Sequence, residues 1–362
     1  MIDAISFLII ILLSVGLSHV FLPYDCRNRL FWIVAPGILL LFITHPMALI
    51  FAVGSFALST GIFLAGCVVD SPRFRTRIPY IILLLLFVPD LMRLARETPI
   101  LWLGSAFFIV RQMMTVAEGI KRPAAFKEFL PALLLSTFCL GALPSGPVFN
   151  GLRCWDQLKQ NMVPAYGEGC YRLFEGFVYL FAVAGFIGVA IPILGVTAAQ
   201  MAGGDGDLAG PLFLKLLAEP LAGFALLFAT FYGYSRMAEG SALLFGFEVP
   251  QNFNKPHLAR DLGDFWKRWH RSMAEFVMQY IYLPLLVLTS RTKLALIAAF
   301  GFMGLWHNFS LGFLIWGLGH GIGLGFLLPW AQQRNVSTTL LRIASLAYVV
   351  ALSAIAHGVW SK

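Results

Sequence analysis

Long apolar runs recur along the whole chain, near residues 5–22, 30–44, 47–68, 79–92, 99–116, 129–143, 173–198, 211–234, 274–289, 294–306, 311–329 and 340–359. Half of them have the roughly 17 to 25 residues that a helix needs to cross the hydrocarbon core of a bilayer. No water is available there to satisfy backbone N–H and C=O groups, so each segment must pair its own. The composition agrees: 59% of the 362 residues are hydrophobic and only 12% are charged, about half the charged fraction of an ordinary soluble domain. The expectation is an all-α, polytopic integral membrane protein forming a single domain over 1–362, with about ten or eleven transmembrane helices plus re-entrant or interfacial helices. The 129–143 run holds Pro131 and is followed by Leu143-Pro144-Ser145-Gly146-Pro147. That sequence cannot continue a helix and suits a re-entrant or interfacial turn.

The formal net charge of +8 points to the membrane. Its Lys and Arg residues sit mostly in short loops between apolar runs, where they set topology and meet anionic headgroups. They form no stripe interleaved with base-stacking aromatics, so nucleic acid is not an expected partner. Arg27 and Arg29, then Arg73, Arg75 and Arg77, then Lys121, Arg122 and Lys127 are read as sharing the cytoplasmic side. That places the N-terminus outside and Arg93 and Arg96 in an outer loop. The first run follows Asp3 and lacks a small-residue cleavage signature, so it reads as a retained helix near the mature start. Cys26, Cys67, Cys139, Cys154 and Cys170 are scattered, without disulfide or zinc spacing. No internal repeat of the inverted-transporter kind is visible.

Two polar breaks interrupt the apolar pattern. Met201 to Gly210 reads as a solvated loop. Glu248 to Arg271 is longer, and the segment beginning in it is amphipathic. At 100° per residue, Phe265, Trp266, Trp269, Met273, Phe276, Val277 and Tyr280 fall on one arc about 120° wide, facing Lys267, Arg268, Arg271 and Glu275. Asp261 is the expected N-cap, Asp264 lies at the positive helix end, and His270 falls at the border between arcs. Such a helix can pack on the bundle with its cations on lipid phosphates. Equally, Lys267, Arg268 or Arg271 can face an anionic donor.

Gly301 to Trp330 contains no Asp, Glu, Lys or Arg, yet it holds His307 and His320. Ionisable groups at membrane depth are costly and tend to face a cavity or pathway, which makes both candidates for function. In one straight helix they would stand about 20 Å apart and about 140° around the axis. Cooperation therefore requires a turn, expected near Asn308 to Gly312. Trp316 and His320 then share a helix face, beside a strip of Gly317, Gly321 and Gly325 that permits close helix approach. Neutral imidazole suits a general base for a hydroxyl attacking a thioester. Two histidines without a nearby carboxylate make a poor zinc set, so no metal is expected.

The ordered blocks Gly233-Tyr234-Ser235-Arg236-Met237-Ala238, Phe245-Gly246-Phe247, Asn252-Phe253-Asn254-Lys255-Pro256, Phe265-Trp266-Lys267-Arg268-Trp269-His270, Tyr280-Ile281-Tyr282-Leu283-Pro284, Leu305-Trp306-His307 and Trp316-Gly317-Leu318-Gly319-His320-Gly321 resemble the membrane-bound O-acyltransferase family. The likeness is to its bacterial branch of alginate O-acetylation proteins and teichoic-acid D-alanyl transferases. Weaker similarity reaches Gly104 to Lys121 and Phe129 to Val148, so residues 101–330 resemble the family core. Residues 1–100 form variable N-terminal helices and 331–362 a C-terminal helix.

The resemblance implies that His320 is the catalytic histidine and His307 its characteristic companion. Trp306, Trp316, Lys267, Arg268, Trp269, His270, Arg271 and Asn254 are the expected substrate- or donor-binding residues. It implies an acyltransferase of a bacterial inner membrane that moves an acetyl or other short acyl group from a cytoplasmic thioester to a hydroxyl of a glycan, lipid or secreted metabolite. The co-substrate would be acyl-coenzyme A or an acyl carrier protein, with no tightly bound cofactor, and the partners would include proteins of a glycan-modification system. Aminoacyl transfer from a carrier protein is the alternative within the enzyme class. A transporter or flippase is the alternative outside it. Three departures stand out: Arg236 where the family pattern has Asp, Asn308 where Gly follows the first histidine, and no Gly-Gly pair after the Tyr-Leu-Pro segment.

Overall fold

A computed structural model describes residues 4–20, 25–88, 104–122, 125–189 and 218–356. The expected loop at 201–210 and the arginines Arg93 and Arg96 lie outside the described residues. The helices in order are α1 (Ala4–Val20), α2 (Cys26–Thr44), α3 (Pro46–Val68), α4 (Pro72–Arg77), α5 (Gly104–Lys121), α6 (Phe126–Phe138), α7 (Gly151–Lys159), α8 (Tyr166–Val178), α9 (Glu219–Leu244), α10 (Leu262–Trp266), α11 (Arg271–Val277), α12 (Leu283–Thr289), α13 (Thr292–His307), α14 (Leu311–Ile322), α15 (Leu328–Gln333) and α16 (Thr338–Ala356). The chain is an all-α, multi-pass membrane protein. Among the described residues, six helical stretches are long and apolar enough to cross a bilayer: Cys26–Thr44, Pro46–Val68, Tyr166–Val189, Arg271–Thr289, Leu311–Gln333 and Thr338–Ala356, with shorter apolar helices at Ile5–Val20 and Thr292–His307.

Other apolar runs take less regular forms, for local reasons. Ile78–Phe87 is a 3-10 helix opened by Pro79. The 129–143 run carries Pro131 inside its helix, ends as a helix at Phe138 and passes through a 3-10 turn at Leu140–Ala142 before α7 begins at Gly151, a break in line with the Leu143 to Pro147 segment. Two of the long spans contain a π-helical turn just ahead of a proline: Met278–Tyr282 before Pro284, and Gly323–Leu327 before Pro329. A proline ring collides with the carbonyl four residues earlier and supplies no N–H, and a widened turn relieves both problems.

The described chain forms two compact units, residues 1–177 with 233–251, and residues 178–232 with 252–362. In the first, Ile33, Leu135, Phe149, Trp155, Leu158 and Phe245 share one apolar core. Polar side chains inside it are paired across helices: Gln112 donates to Ser55 and Thr137, and Thr115 bonds Ser136. Interhelical hydrogen bonds of this kind hold apolar helices together where lipid offers no hydrophobic drive. Arg29 departs from its expected loop position. Its side chain is fully buried and donates to the Phe245 and Leu158 carbonyls and to Asn161, so it cross-links the unit and is no surface topology signal.

The departure at Arg236 has a local explanation in the same unit. Its guanidinium lies 2.6 Å from Glu175 and 2.7 Å from Glu239, which Arg172 also reaches at 3.4 Å. Glu239 is 2% exposed. A carboxylate that deep requires a cation, and an acidic residue at 236 would oppose it.

Candidate active site

All the histidine-centred residues lie in the second unit. Its site begins with a bent segment. Asp261 caps α10, accepting from the Asp264 N–H at 2.8 Å, as expected. The continuous amphipathic helix does not form: α10 ends at Trp266, and α11 starts only at Arg271. Between them His270 adopts left-handed backbone angles, φ 44° and ψ 50°. For a residue with a Cβ this is a strained conformation, tolerated where surrounding contacts over-determine it. Those contacts are visible. The Asn254 N–H donates to the Arg268 carbonyl and the Arg271 N–H to the Asn252 carbonyl, both at 2.9 Å, and Ser272 donates to the Asn252 side chain. Trp269 stacks on Phe265 and Phe224 with centroids 5.5 and 5.2 Å away. The apolar arc survives the break, since every one of its seven members is buried.

The charged side of this segment is occupied by local bonds. Partial burial pushes the Asp264 carboxyl upward, but hydrogen bonds from the Arg268 side chain and from the Arg260 N–H and guanidinium outweigh that and hold it at about 2. Arg268 is thus tied to Asp264 at 2.9 Å and to the Asn254 carbonyl at 3.3 Å. Lys267, Arg271 and Asn254 are exposed. Asn254 acts here through its backbone, and the buried Asn252, not singled out from the sequence, does the side-chain work.

The turn expected at Asn308 to Gly312 is present. Helix α13 ends at His307, and Ser310 caps α14 by accepting from the Phe313 N–H. The returning helix packs backbone to backbone on its partner because of two glycines. A Cβ on Gly304 would come within 2.2 Å of the Phe313 carbonyl oxygen, and one on Gly317 within 2.3 Å of that of Phe300. Of the expected strip, Gly321 also meets backbone, with Ile297 Cα at 2.6 Å, whereas Gly325 makes only ordinary contacts.

This return brings the histidines into one aromatic chain. The Trp316 ring lies 5.3 Å from His307 and 4.9 Å from His320, edge-on to both. His307 also touches Trp306, Phe313 and, at 6.5 Å, His270, whose ring is packed edge-on against Phe231. His320 is 0% exposed and is enclosed by Trp266, Trp316, Phe300 and Tyr348. Neither of its ring nitrogens has a hydrogen-bond partner among the described residues, and the same holds for Trp266 Nε1 and Asn308 Oδ1. A neutral imidazole offers one donor and one acceptor, and burying both unpaired is costly. Both nitrogens suit a hydroxyl or a carbonyl as partner. His307 is less enclosed, with intermediate exposure.

Three residues of this cage, Trp266, Phe300 and Tyr348, escaped the reading of individual site residues. Trp266 carried a signal, its place on the apolar arc beside Trp269. Tyr348, which donates to the Gly319 carbonyl at 2.6 Å, carried none: it lies on α16, far along the chain in an ordinary apolar run.

Residues 207–353 match the family described as MBOAT, the membrane-bound O-acyltransferase family. The chain is 31% identical over 199 residues to a protein of Pseudomonas aeruginosa named probable alginate O-acetylase AlgI, an alignment covering 54% of this chain and 34% of that one. It is 27% identical over 234 residues to the teichoic acid D-alanyltransferase of Bacillus subtilis, covering 60% and 56%. A peptidoglycan O-acetyltransferase of Helicobacter pylori matches at 38% over 94 residues, covering 25% and 18%. The chain therefore spans about a third of the alginate relative's length and about half of the teichoic acid relative's.

Proposed function

We propose, for a chain that carries a membrane-bound O-acyltransferase family domain at residues 207–353, that it transfers an acyl group from a thioester to a hydroxyl at the His307–Trp316–His320 cluster. The observation that carries this reading is His320 itself, fully buried with both ring nitrogens unpartnered among the described residues. In the proposed step the imidazole takes the proton of the acceptor hydroxyl as its oxygen attacks the thioester carbonyl. The tetrahedral intermediate then collapses, the C–S bond breaks, the new ester remains and the thiolate leaves with the proton. His307 orients the acceptor or assists at the oxyanion.

The acyl group is acetyl or another short acyl, brought as acyl-coenzyme A or on an acyl carrier protein. The acceptor is a glycan, lipid or secreted metabolite. Names among the relatives support both acetyl transfer to a polysaccharide and D-alanyl transfer to teichoic acid, so aminoacyl transfer is the nearest alternative donor chemistry. The bacterial inner membrane and partner proteins of a glycan-modification system belong to the same reading.

A second assignment of roles follows from exposure. His307 is partly exposed where His320 is sealed, which favours His307 as the proton acceptor and His320 as the group that positions it through Trp316. The test is ester formation from a labelled acyl donor by purified His320→Ala and His307→Ala proteins inserted normally in membranes. Loss of product by at least a hundredfold in His320→Ala supports the first assignment. Loss confined to His307→Ala supports the second. Unchanged product in both variants ends the reading, and movement of a solute without ester formation would favour a transporter.

A further inference from the structure

The second unit contains an apolar cleft between two spans. It is lined by Leu327, Leu328 and Trp330 from one side and by Leu341, Ala344 and Tyr348 of α16 from the other, and has a volume of about 270 Å³. Its neighbour, about 450 Å³, shares Leu327 and Trp330 and adds Lys293, Phe326 and Gln333. The side chains around both are large, apolar and open: Phe326 is 46% exposed, Leu327 50% and Trp330 54%. On segments that cross a bilayer, such surface faces acyl chains.

The polar end of this surface is cationic. Lys293 Nζ lies 4.3 Å above the Phe326 ring, and the Arg334 guanidinium lies 4.7 Å above Trp330. Both cations are held on aromatic faces next to the second cleft, at the start of α13 and just past the end of α15, where the spans leave the hydrocarbon. Neither forms a salt bridge with an acidic side chain among the described residues. A tryptophan at that depth suits the headgroup boundary, and basic pockets between spans select anionic headgroups.

We infer that this double cleft binds one anionic phospholipid, its acyl chain lying against Leu327, Leu341 and Ala344 and its phosphate between Lys293 and Arg334. The inference is independent of the acyl-transfer reading, since it asks for no chemistry. It does reach the histidine cage, because Tyr348 lines the cleft and touches His320 with ring centroids 5.8 Å apart.

The test is native mass spectrometry of the full chain in detergent, after incubation with equal amounts of phosphatidylglycerol and phosphatidylcholine of identical chains. The wild-type protein is expected to retain phosphatidylglycerol at least fivefold over phosphatidylcholine. The Lys293→Gln/Arg334→Gln protein, altered only at exposed side chains, should fall to within twofold. Ala344→Phe, which fills the apolar cleft, should lower retention of both lipids. A control, Arg73→Gln/Arg77→Gln, should keep the wild-type preference. Equal retention of both lipids by wild type, or an equal loss of preference in the control, would overturn the inference. So would displacement of the lipid by glycerol 3-phosphate or by acyl-coenzyme A at equal concentration, since the first would mean a bare phosphate site and the second a donor site.

Discussion

The indole of Trp266 meets the imidazole of His320 edge-on, ring centroids 4.9 Å apart, and both rings carry buried nitrogens without partners among the described residues. The indole thus brings a second unpartnered polar group into the shell around His320. Under the proposed reaction, we assign Trp266 Nε1 as a donor to the carbonyl oxygen as it gains negative charge. Trp266→Phe keeps an aromatic ring, though a smaller one, and removes the N–H. We expect kcat to fall by roughly 10- to 100-fold with little change in KM, measured by ester formation in membranes. A change in KM alone would show that the indole only binds.

The contact of α13 with α14 rests on glycine. Because a Cβ on Gly317 would lie 2.3 Å from the Phe300 carbonyl oxygen, Gly317→Ala must push the two helices apart. We expect a stability loss of about 1–3 kcal/mol, read as lower thermal stability by fluorescence-detected size exclusion. Gly325→Ala, with nothing nearer than 3.8 Å, should change stability by less than about 0.5 kcal/mol.

Restoring the family pattern at position 236 should harm this protein. Arg236→Asp would remove the cation between Glu175 and Glu239 and add a third carboxylate. The expected cost is about 3–5 kcal/mol, visible as poor recovery of folded protein. A double change with Glu239→Gln should regain part of it, since the buried charge left unpaired is then gone.

The bond between Asp264 and its two arginines predicts a pH window. The carboxyl is held at about 2 against an ordinary 3.8, so the folded state favours its ionised form. That contribution is complete above about pH 4 and is lost as pH falls towards 2. With Arg260 largely exposed, solvent screening reduces it to on the order of 1 kcal/mol. Asp264→Asn should lower thermal stability at pH 7 by that amount and flatten the fall between pH 4 and 2. Wild-type and variant curves that stay parallel through that window would refute the assignment.

Run length and helical period carried the reading a long way. An apolar stretch that must satisfy its own backbone in lipid has to be helical, so the all-α membrane class needed no tertiary information. The turn at Asn308 to Gly312 followed from the impossibility of two histidines meeting on one straight helix. The buried arc from Phe265 to Tyr280 was correct residue by residue, because side-chain period outlasts a local break in the backbone.

Other features depended on contacts between distant parts of the chain. Local period favoured an unbroken helix through His270, yet pairing with Asn252 and Asn254 and stacking on Phe224 stabilise a left-handed turn there. Arg29 reads as a loop charge until the Leu158 and Phe245 carbonyls converge on it. The approach of Glu175 to Arg236, and the arrival of Tyr348 against His320, are likewise invisible to any window of neighbouring residues. Residue order alone makes this protein a set of membrane helices with two costly histidines in an uncharged stretch, since lipid solvation acts on each segment separately. Which groups surround those histidines is settled by folding, because burial and strain relief there are set by residues that meet through packing.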